Sequence, residues 1–248
     1  MTTDRTVPSP SMSRVSRWAW SWLKSIAVAL VVWFLLSTFL VQAFHVTSGS
    51  MEQSVLIGDF LFVNKLLYGA EVPLTGRHLP AVREPRRDEI VVIKSPIEDL
   101  VLLKRVVGLP GDTLAMVNGA LIRNGKPVLE PYVTLAPTAP PLEPAVSEQM
   151  RAWQLQYFIG QHPEAYHPDT RTWGPITVAA GTVMTMGDNR DESFDCRYYG
   201  FIPRSNLRGR PLFIYFSYDP ASWRPVPFLT AIRWRRLLTS PHAAKQKP

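Results

Sequence analysis

Residues 25–44, SIAVALVVWFLLSTFLVQAF, contain no charged side chain, and this is the strongest break in the polar pattern of the chain. At 1.5 Å rise per residue a helix of that length spans about 30 Å, the hydrocarbon thickness of a bilayer. The run is too long for the apolar part of a cleaved export signal. It predicts one transmembrane helix. Arg5, Arg14, Arg17 and Lys24 precede it, and residues 45–56 hold no Lys or Arg. That bias puts residues 1–24 in the cytoplasm and everything after Phe44 outside. Trp18, Trp20 and Trp22 stand where an interfacial aromatic belt would lie.

Beyond residue 45 the pattern turns to short apolar runs rich in Val, Ile, Leu and Phe: GDFLFVNKLL (58–67), DEIVVIKSP (88–96), LVLLKRVVG (100–108) and RGRPLFIYFSYD (208–219). Bounded by Gly, Pro or Asp, they read as strands. Asn118-Gly119 and Asn124-Gly125 are the favoured pair for two-residue hairpin turns, so ALIR between them is a short meander strand. The fold class that follows is mostly β, an antiparallel, coiled, barrel-like catalytic domain over residues 45–225 behind the N-terminal transmembrane helix. Residues 131–148 are Pro-rich and read as a linker or an extended loop. Residues 148–161 could form one helix, and 126–175 together form an insertion whose structure the pattern leaves open. Residues 226–248 form a basic tail, in which 228–240 could lie on a membrane surface.

Composition sharpens this. Hydrophobic residues make up 46% and charged ones only 19%, so part of the apolar content faces lipid. The 27 Lys and Arg against 20 Asp and Glu give +7, which suits an anionic membrane surface. The basic residues gather at the two ends with no accompanying recognition motif, so nucleic acid is not a partner. The single Cys196 allows no internal disulfide and reads as a loop filler. No paired-His or Cys cluster and no nucleotide loop is present, so neither metal nor cofactor is expected.

Three segments carry candidate chemistry: VTSGSMEQSV (46–55), LLKRVVGLPGD (102–112) and MGDNRDESFDCRYYGFIP (186–203). Taken singly, each has an ordinary structural explanation. A Ser-Gly-Ser loop, a solvated Lys-Arg pair and an Asx-turn would account for them. No G-x-S-x-G elbow exists, and the five His show no triad-like context. A Ser-Lys pair is a known variant of triad logic. It needs a lysine whose ammonium form is disfavoured by burial. Lys104 shares a strand face with Leu102 and Val106 at period two, while Arg105 on the other face stays protonated. Periodicity does not say which face is the core.

In order and content the three segments resemble the bacterial type I signal peptidases of the leader peptidase family. These carry a Ser-Met motif after the anchor, a Lys-Arg-x-x-Gly-x-Pro-Gly-Asp motif and a Gly-Asp-Asn-Arg-Asp-x-Ser-x-Asp-x-Arg motif. Gln53 and Ser54 depart from the usual Pro and Thr, and Cys196 from a common Ser. The resemblance implies Ser50 as nucleophile and Lys104 as general base, with the Ser50 N–H and the Ser48 hydroxyl as oxyanion donors. It implies that Ser193 orients the lysine, that Asp195 and Arg197 support the site, and that Asp188 and Arg190 shape the loop. Phe44, Val46 and Leu103 would line apolar pockets for small residues in the Ala-x-Ala pattern. The implied activity is removal of signal peptides from exported preproteins through an acyl-enzyme, at the outer face of the bacterial inner membrane. A pilin- or conjugation-processing peptidase of the same fold remains open. A non-catalytic scaffold would lack Ser50 or Lys104. A self-cleaving repressor would carry a DNA-binding module instead of the apolar run. The sequence does not fix an oligomeric state.

Overall fold

The structure is a computed structural model that describes residues 14–35, 41–72, 75, 77 and 79–241. Its first element is helix α1 (Arg14–Leu35). The helix expected over 25–44 is therefore corrected. Residues 36–40 lie outside the described part, and Val41–His45 form strand β1, paired antiparallel with β2 (Asp59–Asn64) from Val41↔Asn64 to His45↔Phe60. Arg14, Arg17 and Lys24 fall inside α1, and no helix among the described residues is long and apolar enough to cross a membrane. The end of the uncharged run is strand because its backbone groups find partners in β2.

The other apolar runs are strands as expected: β3 (Ile90–Lys94), β4 (Val101–Gly108), and β11 (Leu207–Ser217). The hairpin signals hold as well. Asn118 and Gly119 have φ of 50° and 83°, Asn124 and Gly125 of 54° and 75°. They join β5 (Thr113–Val117), β6 (Ala120–Arg123) and β7 (Lys126–Pro127). The insertion is ordered. Helix α2 (Pro144–Leu155) starts before the expected 148, with Pro144 in its first turn, and stops well before 161. Beyond it the Ile159 N–H donates to the Pro175 carbonyl and Phe158 bridges to Ile176, so strand-like pairing ends the helix. The insertion also supplies most of β8 (Trp173–Thr177), followed by β9 (Thr182–Met186), helix α3 (Cys196–Tyr199) and β10 (Ile202–Pro203).

All strand pairs are antiparallel, in one sheet of order β1-β2-β11-β3-β4-β9-β10 and a second of order β7-β6-β5-β8. β11 pairs with β3 at Leu207–Gly209 and with β2 from Arg210 on, through several register shifts. Bulges of this kind bend a strand and increase its twist. The large sheet curls, so that Phe44 of β1 and Val101 of β4 line one cavity of about 220 Å³ with Val63 and Val92.

β3 and β4 are covered on both faces. Val91, Ile93 and Val106 join a core with Leu114, Met116, Trp173 and Ile176 of the small sheet. Ile90, Val92 and Leu103 join another with Val46, Met51, Val55, Leu61 and Ile214. Each such side chain contributes about 1.5–3 kcal/mol on burial. The described part of the basic tail packs back on the domain: Arg236 forms a buried ion pair with Asp59 at 2.6 Å, and Leu238 N–H donates to the Ile214 carbonyl at 2.7 Å.

Asp112, the last residue of the second motif, ties a turn together. It accepts the Leu109 N–H at 2.9 Å, Asn124 Nδ2 at 2.8 Å and both arms of Arg87 at 2.7 and 2.8 Å. Burial alone would raise its pKa, but the Arg87 hydrogen bonds, the Leu109 N–H and Asn124 hold it down to about 2. A depressed carboxylate contributes stability that is present above its unfolded pKa, about 3.9, and is lost as pH falls towards the folded value. Urea midpoints measured from pH 6 to pH 2 should therefore fall less steeply for Asp112→Asn than for the wild type. Equal acid slopes would contradict this role.

Candidate active site

Ser50 sits on the loop between β1 and β2. Two neighbours fix that loop: Val46 exchanges backbone hydrogen bonds with Asp59 and Gly58, and the Val55 N–H closes a turn on the Met51 carbonyl at 2.9 Å. Met51 and Val55 are fully buried, which anchors the turn that starts at Ser50. Ser50 is half-buried and Ser48 exposed, with their hydroxyl oxygens 3.4 Å apart.

Lys104 lies in β4 opposite Val91 and is only 2% exposed. Its Nζ donates to Ser193 Oγ at 2.8 Å. Burial lowers its pKa and outweighs the opposing pull of Asp195, while the Arg197 charge adds a smaller lowering. An uncharged amine that donates one N–H to Ser193 keeps its lone pair free to accept a proton. Ser50 is not among its hydrogen-bond partners in this structure.

The third motif forms the loop 187–197 between β9 and α3. Asp195 accepts the Gly187 N–H at 3.0 Å and pairs with Arg197 Nε at 2.9 Å, both side chains being fully buried. Burial alone would raise Asp195; the Arg197 guanidinium and the Gly187 N–H together hold it below the usual carboxylate value. Asp188 pairs with Arg105 at 2.6 Å and accepts Ser54 Oγ at 2.6 Å. Arg190 pairs with Glu130 at 2.6 Å and donates to the Gly187 carbonyl. Cys196 is buried, its thiol pushed up to about 12, and accepts the Thr185 N–H. Such a thiol is inert.

Two residues without an assigned role bring the loops together. Asn189 donates its N–H to the Ser50 carbonyl at 3.1 Å and its side-chain amide to the Gly49 carbonyl at 3.3 Å. At Gly187 a Cβ would stand 2.2 Å from Ser193 Oγ and 2.5 Å from the Ser50 carbonyl oxygen, so glycine alone lets these loops approach. Both lie inside the third motif, where their neighbours drew the attention. Phe44, Val46 and Leu103 come together in one apolar cluster, with Val46 and Leu103 nearly fully buried and Phe44 opening onto the cavity. Among the described residues no group of His, Cys, Asp or Glu is placed to hold a metal.

The sequence profile of the family described as signal peptidase, peptidase S26, matches residues 19–216. The chain belongs to the S26 signal peptidase family. Signal peptidase I of Pseudomonas aeruginosa is 34% identical over 212 residues, covering 79% of this chain and 72% of that one. Signal peptidase I of Pseudomonas fluorescens is 32% identical over 218 residues, covering 82% and 75%. That of Bacillus amyloliquefaciens is 29% identical over 209 residues, covering 84% and 91%. As a member of the signal peptidase family, the chain is a hydrolytic serine peptidase.

Proposed function

We propose that this peptidase removes N-terminal signal peptides from exported preproteins, cutting after small residues, with Ser50 as nucleophile and Lys104 as general base. The observation that carries the reading is an amine, 2% exposed and hydrogen-bonded to a serine, beside the loop that bears Ser50. Neutral Lys104 takes the Ser50 hydroxyl proton as Oγ adds to the scissile carbonyl carbon. The Ser50 N–H and the Ser48 hydroxyl stabilise the oxyanion. The Lys104 ammonium then protonates the departing amine, the C–N bond breaks, and an ester remains on Ser50. Lys104, again neutral, deprotonates a water that hydrolyses the ester. Ser193 orients the lysine, and Asp195 with Arg197 fixes the loop that carries Ser193.

Two strand edges support an extended peptide substrate. β1 is an edge strand, and β9 pairs with β4 only from Arg105 on, which leaves Val101–Lys104 open on that side. A peptide can add there as a strand, with small side chains above Phe44, Val46 and Leu103.

Attachment to the inner membrane is part of the same reading. Large apolar side chains of α1 from Trp18 to Phe34 are exposed, Trp33 at 66%. The uncharged part of α1, residues 25–35, reaches about 16 Å, roughly half a hydrocarbon core. On the β1-β2-β11 side His45, Phe60, Phe62 and Tyr215 stack on one another, and Ile57, Trp223, Phe228 and Trp234 are exposed nearby in sequence. Apolar and aromatic residues among arginines fit a headgroup boundary. The charge bias favours a cytoplasmic N-terminus and an extracytoplasmic catalytic domain.

The test is incubation of the purified chain in detergent with a preprotein bearing an Ala-x-Ala site. Cleavage after the second Ala, lost when that Ala is replaced by a bulky residue, is expected. Absence of cleavage, or cleavage indifferent to that residue, would overturn the proposal.

A further inference from the structure

The loop 187–197 does more than present Ser193. The charged groups that act on Lys104 are Asp195, Arg197 and Asp188, and all three lie on that loop or at its junction with α3. The position of this loop therefore sets both the orientation and the proton affinity of the lysine.

The segment beyond β7 holds the loop along its length. Thr134 makes a parallel bridge to Asn189: its N–H donates to the Asp188 carbonyl at 2.9 Å, and its carbonyl accepts the Arg190 N–H at 3.0 Å. Glu130 pairs with Arg190. Asp191, whose side chain is 4% exposed, pairs with Arg171 at 2.6 Å and accepts the Ala136 N–H at 2.7 Å, while Arg171 also donates to the Ala136 carbonyl at 2.7 Å. At the far end Arg197 Nη1 donates to the Thr170 carbonyl at 3.1 Å, and Trp153 Nε1 of α2 donates to the Arg197 carbonyl at 3.0 Å. Trp153 also packs edge-on against Phe201.

We propose that residues 130–171 are a brace for the catalytic loop, in which Arg171, through Asp191, and Trp153, through the Arg197 backbone, are positioning residues that keep Lys104 dry and aligned. The inference rests on Lys104 being the base. The bonds of Arg171 go to Asp191 and the Ala136 carbonyl and that of Trp153 to the Arg197 carbonyl, none of which touches Lys104, so their loss reaches the lysine through the position of the loop. A loosened loop admits water to Nζ. Burial is the largest cause of the lowered pKa, so its relief moves the lysine back towards the ordinary value.

The experiment measures the pH dependence of kcat for preprotein cleavage by the full chain in detergent, for wild type, Arg171→Met and Trp153→Phe. Melting temperatures are recorded in parallel. The acid limb is expected to move up by about half to one pH unit, with kcat at neutral pH about three- to tenfold lower and KM unchanged. Trp153→Phe keeps the ring packing and deletes only the Nε1 donor, so it decides the matter if Arg171→Met fails to fold. Superimposable kcat profiles in the folded variants, whatever their melting temperatures, would overturn the brace. A change in KM alone would do the same. An inactive wild type, or an active Lys104→Met, would instead overturn the reading on which the brace rests.

Discussion

Replacing Lys104 by Met, or Ser50 by Ala, is expected to lower kcat/KM for preprotein cleavage by about 10⁴-fold or more, because nucleophile and base act as one unit. That is about 5.5 kcal/mol of transition-state stabilisation. The double variant should be scarcely worse than either single one, for the same reason. The lysine substitution carries a second, opposite expectation for stability. The folded pKa of Lys104 lies below its unfolded value, with burial as the main cause. Between the folded and unfolded values the unfolded chain therefore holds a proton that the folded form has released, so stability rises with pH over that range. Methionine removes that cost and leaves only Ser193 Oγ without its donor, a loss of about 1 kcal/mol. Lys104→Met should thus lose activity without a lower melting temperature, and calorimetry beside the kinetics checks it. Wild-type turnover in either single variant would end the dyad assignment.

Arg105→Ala is expected to cost about 3–5 kcal/mol of folding stability, a large share of the 5–15 kcal/mol typical of a domain. Arg105 and Asp188 are nearly fully buried. Arg105 donates twice to Asp188, once to Ser54 Oγ and once to the Asp88 carbonyl, and its guanidinium lies 3.7 Å from the centre of the Tyr132 ring. Removing it leaves Asp188 charged, buried and without its cation. The double variant Arg105→Ala/Asp188→Leu should cost clearly less than the two single changes together, because no unpaired charge then remains. Urea denaturation gives all four stabilities. A single-variant loss under about 1 kcal/mol would show that the pair is not a support of the site.

Much of the fold is legible along the chain because strands and tight turns are local. The four long apolar runs become β2, β3, β4 and β11, and the two Asn-Gly pairs adopt the positive φ that hairpin turns require. The N-terminal run departs from its expected element for a related reason. Absence of charge does not by itself choose between helix and strand, and over Val41–His45 the backbone pairs with β2 while Phe44 packs against an apolar cluster. The insertion was opaque because its order comes from partners distant in sequence: Thr134 bonds around Asn189, Trp153 reaches Arg197, and Arg171 pairs with Asp191.

The residue types of the proposed chemistry, a serine, a lysine and a polar loop in fixed order, are legible in the chain alone, since chemical identity is written there. The sequence could not say which side of β4 was the core, because both faces are covered and period two carries no sign. Packing in three dimensions is what seals Lys104 from water, brings its amine to Ser193, and makes Gly187 leave just enough room for the Ser50 loop. Desolvation and close approach depend on what packs from elsewhere in the chain, and no local pattern encodes them.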